Sequence, residues 1–282
     1  MKKHVFTALL LVLVPGMLPA RATDDPLTLV GVSVNPHLML DTMRYAKPPE
    51  PPDGALVTLF LRNDSREPVT ILPDTPSRIN SATPDALLES GDIAWHDFPG
   101  AHPDLIRVIS PGGLTTFTFN GRRKPYGTGG NVPIQLGPEN QPIWNASVPV
   151  ENPDLWISAV TFFAPENAIL PDEVAIHVAN ETKEAVTLDT CALWIADNPA
   201  RPWAFKQEVK TSALTPFGGN GVIPPYDRGG FYIRTRPLPR TNAVVELLVR
   251  RPDGEPRSLW AKVRVNPKSL ISPADGSAVQ IY

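Results

Sequence analysis

Two stretches of this chain read almost alike: Asn63-Asp64-Ser65-Arg66-Glu67-Pro68-Val69-Thr70-Ile71 and Asn180-Glu181-Thr182-Lys183-Glu184-Ala185-Val186-Thr187-Leu188. Four of the nine positions are identical, and four more keep charge, hydroxyl or apolar character. An alternating run precedes each: Val57-Thr58-Leu59-Phe60-Leu61 in one case, Val174-Ala175-Ile176-His177-Val178 in the other. That is the period-two pattern of a half-buried strand. The physical reading is strand, turn, strand. The Asn side chain satisfies turn backbone groups and tolerates left-handed geometry, charged residues carry the turn, and Val-Thr-Ile or Val-Thr-Leu resumes the next strand.

The correspondence extends in both directions. Val108-Ile109-Ser110-Pro111 and Phe117-Thr118-Phe119 match Val222-Ile223-Pro224-Pro225 and Phe231-Tyr232-Ile233. Ile143-Trp144 and Val148 to Pro153 match Leu259-Trp260 and Val263 to Pro267, and Leu27 to Leu40 matches Leu155 to Leu170 as an opening strand. The blocks keep their order at offsets of 114 to 130 residues. An internal repeat of this kind means one structural unit built twice.

Composition agrees. The chain has 34 prolines in 282 residues, more than twice the usual ~5%, which breaks long helices. The one helix-like stretch is Pro84-Asp85-Ala86-Leu87-Leu88-Glu89, a turn or two. A hydrophobic fraction of 42% supports a core, and one cysteine excludes an intrachain disulfide or a multi-cysteine metal site. At the start, Met1-Lys2-Lys3-His4 is basic, Val5 to Val14 is apolar apart from Thr7, and Ala20-Arg21-Ala22 has the small-x-small pattern of a signal peptidase site. The apolar run is shorter than the ~20 residues a membrane span needs. Residues 1–22 therefore read as a cleaved signal peptide and the chain as periplasmic or secreted from a bacterium, with no membrane span. The rest would carry 23 basic and 29 acidic side chains, which speaks against nucleic acid as a partner.

The expected fold class is all-β: two tandem Greek-key β-sandwich domains over 23–153 and 154–270, then a tail over 271–282. The strand–turn–strand around Asn63 and Asn180, and the proline-rich step before Phe117 and Phe231, resemble bacterial immunoglobulin-like and fibronectin-III-like modules. The resemblance covers nearly the whole chain after residue 22. Two such domains behind a signal also resemble the periplasmic pilus chaperones in architecture, a likeness of fold to which no cleft residues correspond. The fold hosts many functions and implies little activity.

Candidate sites divide by chemistry. Arg122-Arg123-Lys124 with Tyr126 forms a basic, glycine-containing loop, and Arg234 to Arg240 holds the corresponding place in the second repeat. Both suit an acidic partner. Trp95, Trp203 and Phe205 fall between the Asn turn and the Pro turn of their repeats; that recurrence favours a structural role, since a sandwich often buries a Trp between its sheets, and the alternative is a sugar platform, which exposure would support and burial would remove. His96, Asp97 and His102 are a weak metal site, and His37, Met39 and Met43 a weaker copper one. Cys191 shares strand parity with Leu193 and Ile195 and reads as a buried, inert thiol. Phe217, in a glycine-rich stretch, is expected at the surface, and His177 on the solvent side of its strand. No nucleophile motif, phosphate loop or recognisable carboxylate pair points to an enzyme, and no cofactor is expected. The function expected is a non-catalytic binding or adaptor protein acting on another protein or a cell-envelope polymer. An extended segment adding to an open sheet edge offers one mechanism. The alternatives are a carbohydrate-binding accessory module, a chaperone-like protein, and a small hydrolase with its site between the domains.

Overall fold

The computed structural model describes residues 25–35, 54–72, 74–80, 85–93, 106–122, 124, 127, 129–151, 153–164, 168–198, 200–217 and 220–265. Within these the chain is all-β, and every strand pairing is antiparallel. The first half supplies β1 (Leu27–Asn35), β2 (Gly54–Asn63), β3 (Val69–Ile71), β4 (Ser77–Ile79), β5 (Gly91–Asp92), β6 (Arg107–Ile109), β7 (Leu114–Arg122), β8 (Gly129–Leu136) and β9 (Trp144–Glu151). The second half supplies β10 (Leu155–Phe163), β11 (Glu173–Asn180), β12 (Val186–Asn198), β13 (Arg201–Thr211), β14 (Thr215–Pro216), β15 (Val222–Ile223), β16 (Asp227–Arg234), β17 (Asn242–Arg250) and β18 (Pro256–Arg264).

The repeat is physical. Asn63 and Asn180 are fully buried. Asn63 Nδ2 donates to the carbonyls of Glu67 and Ile109, both at 2.8 Å. Asn180 Nδ2 donates to those of Glu184, Ile223 and Pro224 at 2.9, 3.2 and 2.9 Å. Each Asn Oδ1 accepts from the backbone N–H and the hydroxyl two residues on, Ser65 in one case and Thr182 in the other. Each Asn thus closes its own turn and pins it to a segment more than forty residues away. The left-handed geometry that Asn tolerates is not used by either: Tyr226 is the one non-glycine residue with positive φ among those described. The opening strands repeat as well, each with a bulge after its third residue, between Leu29 and Gly31 and between Ile157 and Ala159.

Alternation puts Val57, Leu59 and Leu61 into one core and Val174, Ile176 and Val178 into another. Cys191, Leu193 and Ile195 share the second, as their parity implied. Burial pushes the Cys191 thiol up to about 12, which keeps it protonated and inert. Two expectations need correction. Residues 85–89 form no helical turn. Leu87 and Leu88 fill the first core, and the stretch runs beside the end of β7, with Glu89 N–H bonded to the Arg122 carbonyl and Lys124 N–H to that of Leu87. Trp144 and Trp260 are not equivalent. Trp144 points into the first core, whereas in β18 it is Leu259 that points inward, and Trp260 projects from the opposite face. A one-residue slip in a strand exchanges its faces.

The largest sheet belongs to both halves. Its order is β1-β2-β7-β13-β12-β17-β18, and the halves join where Leu114 of β7 pairs with Phe205 of β13. The sheet folds over at this joint, so that β1 lies against β18. Between its arms sits a third core of Phe60, Leu114, Ala196, Phe205, Val244 and Trp260, flanked by Val30 and Trp194. The Trp260 ring lies 5.2 Å from that of Phe60 and covers Gly31, where a Cβ would come within 2.3 Å of the indole. At the rim of the joint, fully buried Arg107 donates from Nη1 to the Thr116 carbonyl at 2.6 Å. Its guanidinium lies over Phe117 of the first half and Trp203 of the second, at 4.6 and 5.5 Å from the ring centroids.

The Asn bonds generate a prediction. Asn180→Asp keeps the acceptor and removes the three donor contacts, so it should cost about as much as Asn180→Ala, roughly 2–4 kcal/mol in urea unfolding, because buried carbonyls lose their partners. A wild-type-like midpoint for Asn180→Asp would show that Nδ2 does not hold the turn.

Candidate functional site

The structure separates the residues singled out from sequence into three groups. Trp95, His96, Asp97 and His102 lie outside the described residues, as do Arg123, Tyr126, His37, Met39 and Met43. Trp203 and Phe205 are described and buried at 5% and 3% exposure, so neither ring can offer a face to a sugar. Phe205 belongs to the third core and Trp203 packs on Arg107. Trp203 and Phe205 take the structural role instead of the platform, because β13 is an inner strand whose apolar side chains seal the joint between the halves.

Arg122 ends β7, and Lys124 follows it on the way to β8. Arg122 is 77% exposed and reaches Glu89 at 3.7 Å, a contact contributing about 0–1 kcal/mol at most in solvent. The corresponding Arg234 closes β16, is 91% exposed and reaches Glu173 at 3.8 Å. Both repeats thus put an arginine at the same strand end and leave it in water.

A further set was not assembled from sequence. On the outer face of the sheet β10-β11-β16-β14, cross-strand neighbours follow in rungs: Trp156, Ala179 and Arg228; Ala159, His177 and Gly230; Thr161, Ala175 and Tyr232; Phe163, Glu173 and Arg234. Opposed residues in an antiparallel pair project to the same side. Phe217 follows β14, donates its N–H to the Gly230 carbonyl, and lays its ring across that glycine, where a Cβ would meet the ring at 2.5 Å. The Phe217 ring stands 4.8 Å from His177 and 4.5 Å from Tyr232, and Phe163 lies 6.2 Å from Tyr232. Phe217 and His177 are therefore half-buried against each other, less exposed than expected. Tyr232 is 38% exposed, and Ile169, at the tip between β10 and β11, 73%. One aromatic ring at a time is no signal in a sequence; only the register of four strands makes a ledge of them.

Comparison with known proteins adds little. No family model matches the chain, and no curated protein matches it. Among solved structures, the CupB2 chaperone of Pseudomonas aeruginosa is 13% identical at a TM-score of 0.19, over 75% of this chain and 92% of that one. The YadV chaperone is 11% identical at 0.22, over 74% and 91%. A red sea bream transglutaminase is 10% identical at 0.21, over 85% of this chain and 31% of that one. Likeness of this degree says nothing of activity or partners. No helix among the described residues is long and apolar enough to cross a membrane, and no group of three or more metal-ligating side chains occurs among them.

The ledge has a titration signature. Burial lowers the His177 pKa below its ordinary 6.5, so the native imidazole resists a proton that the unfolded chain accepts. Since the unfolded state then binds more protons, this contribution to stability is full above 6.5 and is lost progressively as the pH falls from there through the lower folded value. Urea unfolding from neutral to mildly acid pH should show a smaller fall for His177→Gln than for wild type. Equal falls would mean that His177 titrates alike in both states.

Proposed function

We propose that the chain is an exported, non-catalytic binding protein. In this reading residues 1–22 are a cleaved signal, 23–153 and 154–270 are two immunoglobulin-like Greek-key modules, and the mature chain works in the periplasm or outside the cell on a protein or envelope component. The observation that carries the reading is the third core. Phe60, Leu114, Phe205, Val244 and Trp260 fill the space between the halves with apolar side chains. A hydrolase would want that space as a cleft. Packed in this way it makes the two units one body, whose means of recognition lie on its outer faces, edges and loops.

Among the loops, the basic stretch after β7 is the one the sequence marks for a partner. Three adjacent like charges repel one another and an exposed pair such as Arg122 with Glu89 adds little to folding, whereas a cationic cluster on an acidic chain is a distinct electrostatic feature. The test replaces Arg122, Arg123 and Lys124 together with Ser and uses tagged mature protein to capture partners from an extract of the native cell envelope. Thermal unfolding should be unchanged. The partner retained by wild type at about 0.1 M salt should be lost by the variant, and lost by wild type at about 1 M, where the Debye length falls from ~10 to ~3 Å. Equal capture by both proteins at both salt concentrations would assign the stretch no part in binding.

A further inference from the structure

The two repeats treat one face in opposite ways. In the first, the outer face of β1-β2-β7 carries Gly31, Phe60 and Leu114 and is buried against the arm β13-β12-β17-β18. In the second, the corresponding face of β10-β11-β16 has no sheet of the described chain packed against it; the Phe217 ring lies across Gly230, and the face carries the ledge described above. A second copy stacked as the halves are stacked would have to cover that ledge with the outer face of β8 and β9. The exposed side chains there are Asn131, Pro133, Asn145, Ser147, Pro149 and Glu151, with no counterpart to Trp260. Repetition of the internal interface is therefore not what the ledge is shaped for.

We infer that the ledge is a binding site for an acidic polysaccharide, one whose sugar rings bear carboxylates. Three features of the face select this class. First, charge: Arg228 and Arg234 both project from it, and Glu173, beside Arg234, is the one carboxylate in the four rungs. Second, length: the two arginines are six residues apart on one strand, about 20 Å at ~3.3 Å per residue, so they suit the two ends of an extended chain of anions and not a single ion. Third, the surface between them: Tyr232, 38% exposed, and Phe217, half-buried across Gly230, meet edge to face beside buried Ala175, and the outer parts of these rings are where the apolar side of a pyranose can lie while its carboxylate reaches a guanidinium. An acidic peptide could use the charges, but a sheet face has no free N–H and C=O row for it to pair with; that belongs to an edge. The site shares no residue with the basic stretch at Arg122, so either can fail without the other.

The test uses full-length mature protein and calorimetric titration. The probes are hexamers of galacturonate, of mannuronate and of hyaluronan, with maltohexaose as a neutral sugar, polyglutamate as an acidic chain without rings, and vesicles rich in phosphatidylglycerol. At least one uronate hexamer should bind, maltohexaose and polyglutamate should bind about tenfold more weakly or not at all, and Tyr232→Ala and Arg228→Ser should each weaken the uronate about tenfold. Urea unfolding of both variants checks that they remain folded, and the Ser variant of Arg122, Arg123 and Lys124 should bind the uronate as wild type does. Failure of all three uronates to bind overturns the inference. So does equal binding of polyglutamate, or a Tyr232→Ala protein that binds like wild type, because charge alone would then be enough. Binding to vesicles without binding to uronates would overturn it in favour of a membrane surface, with Ile169 as the inserted residue.

Discussion

Trp260 over Gly31, beside Phe60, is the contact on which the rest of this architecture depends. Any side chain at position 31 would collide with the indole. The bulge just before Gly31 sets β1 where its glycine faces the ring. Around this contact a surface that would otherwise be the wet back of a sandwich becomes an interior. Thr58 and Thr118 illustrate the change: they sit on that face, are buried, and pair hydroxyl to hydroxyl at 3.2 Å, the means by which polar residues enter a core at small cost. Burying a tryptophan is worth about 3–5 kcal/mol on truncation data, a large share of the ~5–15 kcal/mol that holds a typical domain together.

Arg107 belongs to the same construction. A fully buried arginine is rare, and this one has a backbone carbonyl within 2.6 Å and two aromatic faces, one from each half. Guanidinium tolerates such a site better than ammonium because it is planar and weakly hydrated. It makes the joint between β7 and β13, a single residue pair in the sheet, a place where the halves are also held by side chains.

The sequence exposed what repeats and hid what does not. The Asn turns were legible because one side chain does a complete task there: Oδ1 accepts from the turn and Nδ2 donates beyond it, so both copies keep Asn and a hydroxyl two residues on. The inward residues of β2 and β11 were legible through alternation. The third core was not, since its two sides, Phe60 with Leu114 and Ala196 with Phe205, Val244 and Trp260, are distant in the chain and alternation alone assigns the off-beat residues to solvent. A signal existed in the unbroken apolar runs Leu59-Phe60-Leu61 and Ala192-Leu193-Trp194-Ile195-Ala196, which mark strands buried on both faces. Trp203 and Phe205 are buried, as their recurrence at equivalent places in the repeats favoured, but where they are buried was hidden for the same reason. The ledge was hidden differently. Trp156, Phe163, His177, Phe217 and Tyr232 come from four separated segments, and their common face follows from register, which no spacing in the chain announces.

Locking two repeats through a shared core predicts how the molecule comes apart. The direct measurement is scanning calorimetry of the mature chain and of Trp260→Ala. The wild type should unfold in one transition, with calorimetric and van't Hoff enthalpies equal, and the variant in two, as each half melts on its own core. Two transitions in the wild type, or a variant that still melts as one unit at the wild-type temperature, would contradict the claim that the third core joins the halves.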